Sequence, residues 1–190
     1  MKSKYTKSQL ENYIFPLIKA IKKKHKKNKT LIIGIQGGQG TGKTTLTEYI
    51  KERLTKKGNY VVSFSIDDFY KTYKARKKIS KKYKNNPFYQ IPRGMPGTHR
   101  IRKLKNTLDK IRKGKQFEIP RFDKSLHNAA GDIAEKIKVN KKQDFVFFEG
   151  WCLGLPYITP NILIQHCKKH NIKIDYKKKH LQTLTKKIKP

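Results

Sequence analysis

Acidic residues are scarce in this chain. Thirteen Asp plus Glu stand against 47 Lys plus Arg, a formal net charge of +34 over 190 residues. A carboxylate placed at the end of an apolar strand is therefore less readily surface filler. Cysteine is almost missing. Cys152 and Cys167 supply no disulfide framework, which fits a reducing cytoplasm. No apolar run approaches the roughly 20 residues of a membrane span. Met1-Lys2-Ser3-Lys4 is not followed by the apolar region of a secretory signal. Hydrophobic residues make up 35% of the chain, below the globular norm, so the expected core is modest.

The positive charge is mostly lysine, in blocks such as Lys22-Lys23-Lys24, Lys77-Lys78 and Lys177-Lys178-Lys179. Nucleic-acid readers favour arginine and interleave aromatics along a groove. The charge therefore reads as a solvated basic surface, with weak nonspecific binding to polyanions.

Against these absences stands one complete motif, Gly37-Gly38-Gln39-Gly40-Thr41-Gly42-Lys43-Thr44. It follows the apolar run Leu31 to Ile35 and precedes a helix-patterned segment. Glycines remove Cβ atoms, so the loop can aim backbone N–H groups at phosphates. The following helix adds its positive end. Lys43 suits the β- and γ-phosphates, and the Thr44 hydroxyl suits Mg²⁺. The motif therefore points to nucleoside triphosphate chemistry.

The remaining pattern alternates strands with helices. Ser8 and Glu11 suggest a capping box before Leu10, Tyr13, Ile14, Leu17, Ile18 and Ile21, with Pro16 expected to kink the helix. Leu46, Tyr49, Ile50 and Leu54 make a helix face ending near Gly58. Tyr60 to Ile66 and Asp144 to Glu149 read as strands, and Phe117 to Ile119 as a short one. Tyr70 to Tyr83 reads as loop or exposed helix, and Asn85 to Thr98 as a structured loop. Ile101, Leu104, Leu108 and Ile111 predict another helix. An α/β domain with a mostly parallel sheet follows, with ligands at the carboxyl ends of strands.

Two acid positions sit at such ends. Asp67-Asp68 close the second strand, where alternation would send them to opposite faces. One suits proton removal from an acceptor hydroxyl or a metal contact; the other suits Mg²⁺ through water or the turn itself. Glu149 closes the apolar strand Phe145 to Phe148 and reads as a Walker B carboxylate that holds Mg²⁺. His166, Cys167 and His170 have ligand-like spacing. A zinc site would need more from Cys152, Asp175 or His180, and ordinary surface residues are the favoured reading.

In order along the chain stand Gln36 to Thr45, Ser65-Ile66-Asp67-Asp68-Phe69-Tyr70, and Arg93-Gly94-Met95-Pro96-Gly97-Thr98-His99. Pro120-Arg121-Phe122-Asp123-Lys124-Ser125, Gly131-Asp132 and Phe148 to Gly154 follow. With these segments the chain resembles the glycerate kinase type of the phosphoribulokinase/uridine kinase superfamily of P-loop kinases, over about residues 8–155. The resemblance implies a P-loop NTPase three-layer α/β fold, its mostly parallel sheet flanked by helices. It implies catalytic roles for Lys43, Asp67 and Glu149, and Mg²⁺ held by Thr44, Asp67 and Glu149. It places Asp68, Tyr70, Arg93, His99, Arg121, Asp123 and Lys124 around the acceptor, with Asp123 paired to one of the cations. Arginine offers a carboxylate such as glycerate bidentate geometry.

The chain departs from the family pattern at Arg100 and Ile133, where an acid and an arginine are usual. No arginine follows Arg121, so an arginine-bearing lid is missing from the pattern. Residues 1–155 are thus expected to be the kinase domain, and 156–190 a Lys-rich segment, read as a truncated or frameshifted remnant. The leading expectation is ATP-dependent phosphorylation of D-glycerate. Nucleoside or pantothenate-like kinases, a degenerate kinase that binds nucleotide without turnover, and a nucleic-acid-associated ATPase are the alternatives.

Overall fold

The computed structural model describes residues 5–154, 156, 158–173 and 178–186. Along the chain run α1 (Lys7–Gln9), a π-helical stretch (Leu10–Ile14), α2 (Phe15–Lys24), β1 (Leu31–Gln36), α3 (Lys43–Thr55) and β2 (Val61–Ser65). A 3-10 turn (Ile66–Phe69), α4 (Tyr73–Lys82), a second 3-10 turn (Pro87–Gln90) and α5 (Ile101–Arg112) follow. Then come β3 (Phe117–Asp123), β4 (Asp132–Val139), β5 (Phe145–Gly150), α6 (Pro160–Lys169) and α7 (Lys178–Lys186). Two compact units result: Met1–Ser65 with Asn106–Ile119 and Lys138–Leu153, and Ile66–Lys105 with Pro120–Ile137 and Gly154–Pro190.

In the first unit the sheet order is β1-β5-β2. Both pairings are parallel, with Leu31 and Val61 each opposite Phe145. A central parallel strand is covered on both faces, which explains the unbroken apolar run of β5. Phe145, Val146 and Phe147 are at most 1% exposed. Phe145 and Phe147 pack with Ile14 and Ile21 of the N-terminal helical segment and with Ile50 and Leu54 of α3. Full burial of such a side chain contributes roughly 1.5–3 kcal/mol. The parallel sheet with flanking helices is the expected architecture.

The first helix differs from its sequence reading in two details. Its cap is Thr6, whose hydroxyl accepts from Gln9 N at 3.2 Å while Gln9 Oε1 accepts from Thr6 N at 2.9 Å. Ser8 instead accepts from the Asn12 side chain, and Glu11 lies 4.0 Å from Lys7. Just before Pro16, where a kink is expected, the helix changes register. The Phe15 N–H reaches five residues back to the Leu10 carbonyl, and Pro16 falls in the first turn of α2. The helical run is continuous from Lys7 to Lys24, so Pro16 withholds one N–H from the turn before it. The C-terminal stop of α3 is as read: Gly58 adopts φ +81° and its N–H bonds to the Thr55 carbonyl at 2.9 Å.

In the second unit, α4 forms where loop or exposed helix was expected, with the Thr72 hydroxyl capping Ala75 N. Tyr89 and Leu181 are buried and pack with Phe88, Met95 and Leu163. β4 pairs with β3 in a separate two-stranded ribbon. β4 and α7 have no counterpart in the sequence reading. No helix among the described residues is long and apolar enough to cross a membrane.

Candidate active site

The phosphate-binding loop hangs between β1 and α3. Parallel register sets Ile35 opposite Glu149 and Gln36 opposite Gly150, and Gly37 N extends the ladder to the Gly150 carbonyl at 3.3 Å. Gly40 and Gly42 adopt φ +75° and +80°, which side-chain-bearing residues resist. A Cβ on Gly37 would sit 2.9 Å from the Thr41 hydroxyl. Both Thr41 Oγ1 and Lys43 Nζ donate to the Gly38 carbonyl, at 2.9 and 2.5 Å. Gly42 starts α3 without a side-chain cap. First-turn amides have no intrahelical acceptor, so those of Lys43, Thr44 and Thr45 suit an anion, and Gln39 is exposed.

Thr44 Oγ1 donates to Glu149 Oε1 at 2.9 Å. The second carboxylate oxygen of Glu149 is buried with no hydrogen-bond partner among the described residues. A hydroxyl and a charged carboxylate with an oxygen to spare are hard donors of the kind Mg²⁺ selects.

The acid pair lies in the second unit, in the 3-10 turn rather than at a strand end. Successive residues of such a turn diverge by about 120°, so the two still face different ways. Asp67 Oδ2 lies 2.7 Å from Lys124 Nζ. Asp68 is 8% exposed and holds β3: it accepts from Arg121 Nη1 at 3.1 Å and from Phe122 N at 3.2 Å. Tyr70 stacks on His99, ring centroids 4.0 Å apart. Backbone bonds from Lys71 N to Thr98 O and from Arg100 N to Phe69 O pin the two segments together. Burial pushes the His99 pKa down to about 4, with Asp67 opposing and Arg76 reinforcing. His99 is thus a neutral group at pH 7. Arg93 donates to the Ala129 carbonyl and pairs with no carboxylate among the described residues. Asp123 does not take the expected cation partner. It accepts from Ser125 N and Oγ, at 2.8 and 2.6 Å, which lowers its pKa.

The model of the phosphoribulokinase/uridine kinase family matches residues 32–155. The chain belongs to that family. It is 39% identical over 154 residues to the uncharacterized kinase mug58 of Schizosaccharomyces pombe, covering 77% of this chain and 55% of that protein. It is 31% identical over 143 residues to the chloroplastic D-glycerate 3-kinase of Arabidopsis thaliana, covering 70% of this chain and 30% of that one. The chain thus spans about half or less of these relatives. Among solved structures, D-glycerate 3-kinase from Cryptococcus neoformans superposes with a TM-score of 0.72 at 25% identity. The match covers 95% of this chain and 65% of that one.

One residue of this family member, Arg76, escaped the sequence reading, and a second, Asp132, entered it only within the segment Gly131-Asp132. Arg76 lies in a segment that looks uniformly basic, yet it is 5% exposed. Asp132 accepts from Tyr73 N at 3.0 Å and lies 3.3 Å from His127. The bonds from Arg76 to Ala130 and Gly131 and from Tyr73 N to Asp132 join residues far apart in sequence, so no local signal marks them. His166 and His170 hold their rings 4.5 Å apart. Cys167 between them is buried, and Asp175 lies outside the described residues.

Proposed function

We propose that the chain is an ATP-dependent kinase that phosphorylates a hydroxyl of a small anionic acceptor, D-glycerate first among them. The loop from Gly37 to Thr45 receives the triphosphate. Thr44 and Glu149 would hold Mg²⁺, with Asp67 the further ligand that the family resemblance implies, and the ion would neutralise charge on the phosphate oxygens. Asp67, its orientation fixed by Lys124, takes the proton of the acceptor hydroxyl. That oxygen bonds to the γ-phosphorus as the bond to the β-phosphate oxygen breaks, and ADP leaves with Lys43 beside its growing charge.

The observation that carries the anionic acceptor is Arg93. Its Nη1 bond goes to a neutral carbonyl, so its full charge is left to neutralise a ligand carboxylate. The likeness to two D-glycerate 3-kinases supports the same acceptor. A neutral nucleoside, the acceptor suggested by the family's other name, gains nothing from that charge.

The test is phosphorus NMR of protein with Mg-ATP and D-glycerate, with uridine and pantothenate in parallel and Lys43→Ala as control. Phosphoglycerate that disappears in the variant is the expected result. Phosphorylated uridine without phosphoglycerate would overturn the acceptor. ATP binding with no product from any acceptor would leave a nucleotide-binding protein without turnover.

A further inference from the structure

Arg76 spends its guanidinium on backbone. Nε donates to the Pro92 carbonyl at 3.0 Å and Nη1 to that of Lys71. Nη2 donates to the carbonyls of Ala130 and Gly131 at 2.6 and 2.5 Å. The group lies over the Phe122 ring at 5.0 Å and the Tyr70 ring at 5.9 Å. Such a fork satisfies several acceptors in fixed directions, which a single ammonium nitrogen cannot do.

Its partners belong to an unusual loop. His127, Asn128 and Ala129 adopt φ of +54°, +53° and +62°, and Gly131 +75°. Left-handed backbone is disfavoured for residues with a Cβ, and such runs persist where surrounding structure over-determines them. Here the surroundings are two arginines. Arg93 takes the Ala129 carbonyl and Arg76 takes the next two. At the far end Asp132 accepts from Tyr73 N, and His127 stacks on Tyr73 at 4.1 Å.

We propose that Arg76 is a positioning residue for the acceptor pocket. It clamps residues 129–131, and through the Ala129 carbonyl it sets the direction of Arg93, the group that receives the acceptor's negative charge. The inference rests on the anionic-acceptor reading above. It adds a device that acts without touching the acceptor.

The test is Arg76→Lys in the full chain, which keeps the charge and loses the fork. Steady-state kinetics should show the KM for D-glycerate raised about tenfold and that for ATP changed less than about twofold. Amide hydrogen exchange across residues 127–132 should quicken. Unchanged exchange there would overturn the clamp. KM values rising together for both substrates would reduce Arg76 to a general scaffold residue. If the wild-type protein does not phosphorylate D-glycerate, the acceptor reading fails, and the exchange comparison alone decides the clamp. If Arg76→Lys does not fold, wild-type exchange decides it. Slow exchange at Ala129 to Gly131 supports the clamp, and exchange as fast as an unstructured loop sinks it.

Discussion

His99 is the residue where burial and chemistry pull hardest against each other. Its ring lies flat on Tyr70, and its Nε2 is buried with no hydrogen-bond partner among the described residues. The folded pKa of about 4 lies below the ordinary value of 6.5. Between those two values the unfolded chain takes a proton that the folded chain refuses. Stability is therefore complete above about pH 6.5 and falls as acid is added. The loss is on the order of 3 kcal/mol and levels off near pH 4. His99→Phe preserves a ring against Tyr70 and removes the titration. Urea midpoints measured between pH 7.5 and 4.5 should drop less for the variant than for the wild type. Parallel curves would show that the acid sensitivity arises elsewhere. A neutral His99 leaves Arg93, Arg121 and Lys124 as the cations among the residues that the family resemblance assigns to an acceptor. Arg121 is already committed to Asp68, so Arg93 is the cation of the three without a carboxylate among the described residues.

At the scale of elements, the cap of the first helix separates two readings of the same stretch. Ser8 and Glu11 satisfy the capping-box spacing, but so do Thr6 and Gln9, and the chain uses the second pair. Spacing alone cannot choose, because the choice depends on where Ile14 and Ile21 must land to reach the core. Thr6→Ala should cost about 1 kcal/mol, and Ser8→Ala less than about 0.5 kcal/mol. Chemical denaturation of the two variants checks this, and equal losses would place the cap at neither residue alone. The same contrast shows what was legible elsewhere. The phosphate loop was readable because its function is written in contiguous residues between a strand and a helix. β5 was readable because a central parallel strand is apolar throughout. β4 was not, because Asp132 to Val139 is a half-exposed ribbon strand with Glu135, Lys136 and Lys138 along it. The 3-10 turn at Asp67 and Asp68 looked like a strand end because four residues carry no period. Arg76 was hidden because its bonds span up to 55 residues, and burial of one cation among 47 leaves no trace in composition.

Over the whole molecule the dominant fact is the net charge of +34. Charge of that size repels itself and attracts any polyanion, and both effects are screened within about 8–10 Å at physiological salt. The ion pairs among the described residues are mostly exposed, such as Lys56–Glu52 and Arg112–Asp109, and pairs of this kind add little. Added salt should therefore raise the melting temperature, by relieving repulsion faster than it weakens attraction. It should also strip the protein from heparin and from DNA alike. Binding that depends on counterion release falls by orders of magnitude between about 50 and 200 mM salt and is indifferent to sequence. The decisive comparison is ATP hydrolysis with and without DNA or RNA at 150 mM salt. A nucleic-acid-driven ATPase would be stimulated many-fold. A small-molecule kinase with a solvated basic surface would show no stimulation, and Lys43→Ala would abolish its nucleotide chemistry while leaving heparin affinity within about twofold, since one lysine of many contributes little to a diffuse field.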